Sequence, residues 1–131
     1  VNISQAACNS GLSSKALRHY EAIGLVVPAR GPNGYREYTV SDLETLCFIQ
    51  RARINGFSIG EVRALLELRN NPHRRSREAK QLVSEKLSQL EEQLRHLLEM
   101  RTTLLAFEES CAGNDSPQCA ILDQLSGQAP G

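Results

Sequence analysis

Cys111 and Cys119 are separated by seven residues on the stretch Cys-Ala-Gly-Asn-Asp-Ser-Pro-Gln-Cys. Gly113 and Pro117 within it favour a turn that brings the two thiols face to face. Two thiolates with no adjacent His or carboxylate to complete a larger set suit a soft, singly charged d10 ion in linear coordination. That means Cu(I), Ag(I) or Au(I), one per two-cysteine site. Zn(II) ordinarily takes four ligands, or three and a water. A dithiolate around such an ion keeps a net negative charge, which the amides and dipole of a short helix starting at Cys119 would partly offset. His73 and Ser76 could contribute from elsewhere, although no spacing rule requires them. The same two thiols also fit a disulfide, a pair without a role, or a thiol redox sensor, and spacing alone leaves these open.

A second constellation lies near the start of the chain. Ser14, Lys15 and Arg18 are placed at the exposed N-terminal part of a helix, where donors read base edges in the major groove. His19 and Tyr20 extend this DNA-binding set. Tyr35 and Arg36 add groups from a neighbouring hairpin, and Arg53 is placed to reach the phosphate backbone from a later helix. The alternative is a set of charges that merely solvates a helical surface. The adjoining hairpin favours DNA.

These groups require particular elements to hold them. A short helix over Ile3 to about Asn9 is expected to stop at Gly11. A second is capped by Ser13 or Ser14, with Ala16, Leu17, Tyr20 and Ile23 as its buried stripe. Two short helices about a Gly make a helix-turn-helix. Leu25 to Tyr38 reads as a two-stranded wing, with Asn33-Gly34 as a tight positive-φ turn. Thr39 with Asp42, and Ser58 with Glu61, are capping boxes opening two further helices, the first ending at Gly56 and the second at Asn70 to Pro72. From about Ser76 to Phe107, Val83, Leu87, Leu90, Leu94, Leu97 and Leu104 recur at spacings of four and three, with Arg101 in one seam position. Such a helix, roughly 45 to 50 Å long, is too narrowly apolar for the interior of a small domain, so its stripe calls for a second copy of the chain. Cys8 and Cys47 read as core residues, and His96 as a solvated one.

The fold class expected is therefore mainly α: a winged helix-turn-helix DNA-binding domain over residues 1–70, a long dimerisation helix over 71–109, a metal-binding loop and short helix over 110–126, and a flexible tail over 127–131. The length, 131 residues, fits this plan and excludes a large multidomain enzyme. Fifteen basic side chains against fifteen acidic ones leave no net charge, so a DNA-binding surface must be local. Residues 1–69 carry 8 Lys and Arg against 6 Asp and Glu, while residues 70–131 carry 7 against 9, placing the small positive excess with the helix-turn-helix. No nucleophile and base pair, phosphate-binding loop or catalytic metal set is visible, and no enzyme activity is expected. The absence of a long apolar run or leader pattern predicts a cytoplasmic protein without a membrane partner.

The sequence resembles the MerR family of bacterial transcription regulators, and within it the copper-sensing branch. The resemblance rests on Leu12-Ser-Ser-Lys-Ala-Leu-Arg-His-Tyr-Glu21 with Gly24-Leu25, on Asn33-Gly-Tyr-Arg-Glu-Tyr-Thr39, on Ile49-Gln-Arg-Ala-Arg-Ile-Asn-Gly-Phe-Ser58, and on the Cys111 to Cys119 loop. It implies a homodimer joined by a long antiparallel coiled coil and bound to promoter DNA whose spacer between the two polymerase elements is too long. The resemblance implies that the inducing ion would make the dimer bend and underwind the duplex so that bacterial RNA polymerase engages both elements, a form of indirect readout. The genes implied are for metal efflux or detoxification. The resemblance further implies that Cys111 and Cys119 ligate the metal. Ser76 matches the position where divalent-metal members carry a third Cys, and Lys80 matches a basic residue that offsets the anionic site. Ala112 and Pro117 are closer to gold-responsive than to copper-responsive members.

Overall fold

The computed structural model describes residues 1–127. Helix α1 (Ile3–Ser10) begins where the Asn2 side chain accepts the Gln5 amide and the Gln5 side chain accepts the Asn2 amide, each at 2.9 Å. This reciprocal pair satisfies two of the amides that a helix start leaves unpartnered. Gly11 ends the helix at φ 75°, a left-handed conformation that costs a residue without Cβ little. Helix α2 (Ser14–Ala22) follows, with Ser13 accepting the Ala16 amide at 3.0 Å. Of the expected stripe, Leu17 and Tyr20 are buried, while Ala16 and Ile23 are half-buried against the core.

Strands β1 (Ala29–Arg30) and β2 (Arg36–Glu37) form the wing, antiparallel, with Ala29 opposite Glu37 and Arg30 opposite Arg36. The tight Asn33-Gly34 turn expected from sequence is not what joins them. Five residues, 31–35, make the connection, closed by Gly31 N–H to Tyr35 carbonyl at 2.8 Å and Gly34 N–H to Gly31 carbonyl at 2.9 Å. Only Gly34 takes a positive φ, at 82°. Asn33 instead accepts the Tyr35 amide through Oδ1 at 3.3 Å, so its side chain rather than a left-handed backbone shapes the turn.

Both capping boxes form. Thr39 and Asp42 start α3 (Val40–Ile54), and Ser58 and Glu61 start α4 (Ile59–Arg69). Helix α1 packs on α2 and α3, and α3 packs on α4. Where they meet, Leu17, Leu46, Ile49 and Val62 are completely enclosed. Each such side chain contributes about 1.5 to 3 kcal/mol relative to exposure. Cys8 is a correction to the sequence reading: it is exposed on α1, whose buried positions are Ala6 and Ser10. Cys47 is half-buried rather than enclosed, its Sγ 4.0 Å from the Asn9 carbonyl.

Helix α5 (Ser76–Ser110) has 35 residues, starts at the residue expected and runs three beyond the expected end. None of its residues is buried within the chain, and Leu87, Leu90, Leu94, Leu97 and Leu104 are 43% to 60% exposed. Helix α6 (Ala120–Leu125) follows the cysteine loop. The chain divides into two compact bodies, Val1–Lys86 and Leu87–Gly131. Of the tail expected over residues 127–131, residues 128–131 lie outside the described residues.

Candidate metal centre and nucleic-acid interface

The loop after α5 is shaped by short-range bonds. Asn114 Oδ1 accepts the Ser116 amide at 2.9 Å, and Ser116 Oγ accepts the Gln118 amide at 3.2 Å, which folds the chain back on itself. The result brings the Cys111 and Cys119 sulfurs to 3.5 Å, both as free thiols and both half-buried. Cys119 occupies the cap position of α6. Its side chain makes no full capping bond, yet the Leu122 amide lowers the pKa of its thiol, followed by the Cys111 thiol and the Ile121 amide. Burial and Asp123 act in the opposite sense. A thiol eased toward its thiolate is the form that ligates a soft cation. Among the described residues no third His, Cys, Asp or Glu side chain joins the two sulfurs to make a set of three. The donor set therefore fits an ion content with two thiolates. Ala112 and Pro117 are exposed along the same loop.

Ser76 and Lys80 occupy the first and fifth positions of α5, both exposed and both in the Val1–Lys86 body. His73 is exposed just before the helix, and His96 is exposed on it.

In the helix-turn-helix, Ser14 opens α2 and is half-buried, while Lys15, Arg18 and His19 are exposed on that helix. Tyr20 departs from the DNA-binding set: it is 5% exposed and belongs to the core, as its place in the apolar stripe implies. Its neighbour His19 stays in contact with it, ring centroids 6.1 Å apart. On the wing, Tyr35 is 72% exposed. Arg36 is half-buried because Nε donates to Glu21 Oε2 at 2.6 Å. Arg53, at the end of α3, is exposed and donates to the Phe57 carbonyl at 2.9 Å.

Several residues that organise this surface escaped the sequence reading. Arg30 donates to Glu21 Oε1 at 3.2 Å and to the Gly34 carbonyl at 3.4 Å. Arg63 on α4 donates to the Ile23 carbonyl at 3.0 Å, tying the end of α2 to α4. Lys86 bonds Glu61 at 2.8 Å and lies 5.6 Å from the centre of the Phe57 ring. The Lys86 bond, then the Ser58 amide, holds the Glu61 carboxyl at about 2 instead of its ordinary 4.5. For the Arg30–Glu21, Arg63–Ile23 and Lys86–Glu61 pairs the sequence signal is residue type alone, since the partners lie 9, 40 and 25 residues apart. Tyr38, directly after β2, is buried in the core with its hydroxyl unpartnered, and burial followed by the Glu21 carboxylate raises its pKa.

Residues 1–68 match the MerR HTH family regulatory protein model, and residues 43–107 match the MerR DNA-binding model. The chain is 44% identical over 129 residues to the HTH-type transcriptional regulator HmrR of Rhizobium leguminosarum bv. viciae, spanning 98% of this chain and 100% of that relative. It is 45% identical over 128 residues to the HTH-type transcriptional regulator CueR of Salmonella typhi, spanning 97% of this chain and 93% of the relative. Among solved structures, PbrR691 from Ralstonia metallidurans CH34, in complex with lead(II), matches with a TM-score of 0.83 at 29% identity, over 95% of this chain and 98% of that one. A helix-turn-helix with a wing, a long helix and this similarity along nearly the whole chain have one reading: the protein belongs to the MerR family of HTH regulatory proteins.

Proposed function

We propose that this protein is a cytoplasmic, homodimeric transcription regulator that senses Cu(I), Ag(I) or Au(I) at Cys111 and Cys119 and activates promoters of metal efflux genes by distorting DNA. The observation that carries it is the pair of free sulfurs 3.5 Å apart, one at a helix cap, with no third ligand of the usual types among the described residues. A divalent ion at two thiolates is short of ligands, whereas a soft monovalent ion is satisfied. Relatives named as heavy metal-dependent transcription regulators, from Haemophilus influenzae and Rhizobium meliloti, support the same class of signal. Ser76 leaves the third thiolate of a divalent site absent, and Lys80 supplies positive charge toward the anionic complex. Ala112 and Pro117 tune the loop.

DNA is read by Ser14, Lys15, Arg18 and His19 on α2, with Tyr35 and Arg36 on the wing and Arg53 holding phosphates. The exposed leucine stripe of α5 pairs with that of a second copy, giving two reading heads for two half-sites. Bound ion, dimer state and duplex shape are then linked: an ion can shift the duplex only if the distorting state of the dimer binds it more tightly.

Titrating the reduced protein with Ag(I) against a competing thiol is expected to give one tightly bound ion per chain. Cys111→Ser should lose that binding and the metal response of a promoter reporter. A reporter that answers peroxide without needing metal would replace this function with thiol redox sensing.

A further inference from the structure

Each strand of the wing is only two residues long, and a two-stranded hairpin of that length has little stability of its own. Something outside the hairpin must therefore set its orientation. Glu21, in the last turn of α2, is 18% exposed and uses both carboxylate oxygens on the wing. Oε2 accepts from Arg36 Nε at 2.6 Å, and Oε1 accepts from Arg30 Nη2 at 3.2 Å. Arg30 and Arg36 are register partners on opposite strands, so one carboxylate grips both strands at the same rung. Arg30 also bonds the Gly34 carbonyl, which extends the grip to the turn. The bond from Arg36 occupies Nε alone. A guanidinium has five N–H groups, and the four on its terminal nitrogens remain to meet a phosphate.

We propose that Glu21 is a positioning residue for DNA binding: it fixes the pitch of the wing against α2, so that Tyr35, Arg30 and Arg36 meet phosphates of the same duplex whose groove α2 reads. This rests on the DNA-binding function proposed above. It adds Arg30 to the phosphate-binding groups and gives a carboxylate a favourable part in holding a polyanion.

The sign of one substitution separates positioning from simple electrostatics. Glu21→Gln removes a negative charge beside the nucleic acid and one of the two oxygens that hold the guanidinium groups, which by charge alone should tighten binding. If Glu21 positions the wing, binding weakens instead. The full-length wild-type protein is first used to select a duplex from a random-sequence pool, and that duplex is the probe. Glu21→Gln is expected to raise the dissociation constant by roughly tenfold and to flatten the dependence of log K on log salt by about 1 for each phosphate the wing no longer engages. Phosphate ethylation interference should fade at the wing-proximal positions and persist at those beside α2. Arg36→Lys, which keeps the charge but removes the planar Nε donor, should reproduce this pattern and serves if Glu21→Gln does not fold.

Unchanged or tighter binding with an unchanged salt slope overturns the positioning role while leaving DNA binding intact. A uniform weakening across all interference positions, matched by a lowered melting temperature, assigns Glu21 to stability alone and also overturns it. Failure of the wild-type protein to select any duplex overturns the DNA-binding function itself, and the inference falls with it.

Discussion

Leu46 and Ile49 sit one turn apart on α3 with no solvent exposure, against Val62 on α4. Truncating Leu46 to Ala removes buried methyl groups and leaves a space that the short helices around it cannot fully close. The expected cost is about 2 to 5 kcal/mol, read from urea unfolding of the full chain. Glu61 carries a different residue-scale consequence. Its carboxyl is held at about 2 by Lys86 and the Ser58 amide, below the ordinary 4.5. Because the folded value is the lower one, this contribution is fully present above pH 4.5 and is lost as the pH falls from there toward 2. Wild-type stability should therefore drop more steeply than that of Glu61→Gln across this window, as followed by denaturant midpoints at successive pH values. Parallel profiles would remove Glu61 from the acid response.

At the scale of elements, the starts of α1, α3 and α4 are each closed by bonds between residues three apart. Thr39 has two connected tasks, since its cap starts α3 immediately after the wing returns from β2. Thr39→Ala should cost about 1 kcal/mol, measured by thermal or urea unfolding, and Thr39→Ser should recover most of it because the hydroxyl acceptor is kept. The starts of α3 and α4 were legible in the sequence, since the acceptor and donor lie within one turn, whereas the Asn2–Gln5 pair of α1 was not read there. The wing was legible in outline only. Its Gly and Asn signalled a turn, but the side chain of Asn33 competes for the Tyr35 amide and leaves the positive φ to Gly34 alone.

For the whole molecule, the governing feature is the apolar stripe of α5, which no other part of the described chain encloses. Five leucines with about half of their surface exposed are a large patch for a chain of this size, and in the proposed homodimer a partner helix supplies the missing packing. Leu94→Glu combined with Leu97→Glu places like charges on that stripe. Sedimentation velocity should then find a monomer for the variant and a dimer for the wild-type protein, and affinity for the selected duplex should collapse because two half-sites are no longer held by one particle. A double variant that sediments as the wild-type dimer would place the interface elsewhere.

The chain's own order of residues determined the capping boxes that start α3 and α4, the stop at Gly11, the start of α5 and the presence of two cysteines on a turn-prone loop. All of these depend on partners a few positions apart or on a period of three and four. Only the folded molecule decided which side chains around the reading head are free. Tyr20 could face groove or core by type alone, and packing placed it in the core; Cys8 could do either, and the face of α1 on which it falls left it in solvent. Arg30 and Arg36 reach Glu21 across nine and fifteen residues, a meeting set by how the wing lies against α2. Such pairings depend on the mutual placement of elements, which side-chain type does not encode locally. The 3.5 Å between the two sulfurs has the same origin: spacing permitted their approach, and the turn through Asn114 and Ser116 together with the start of α6 set it.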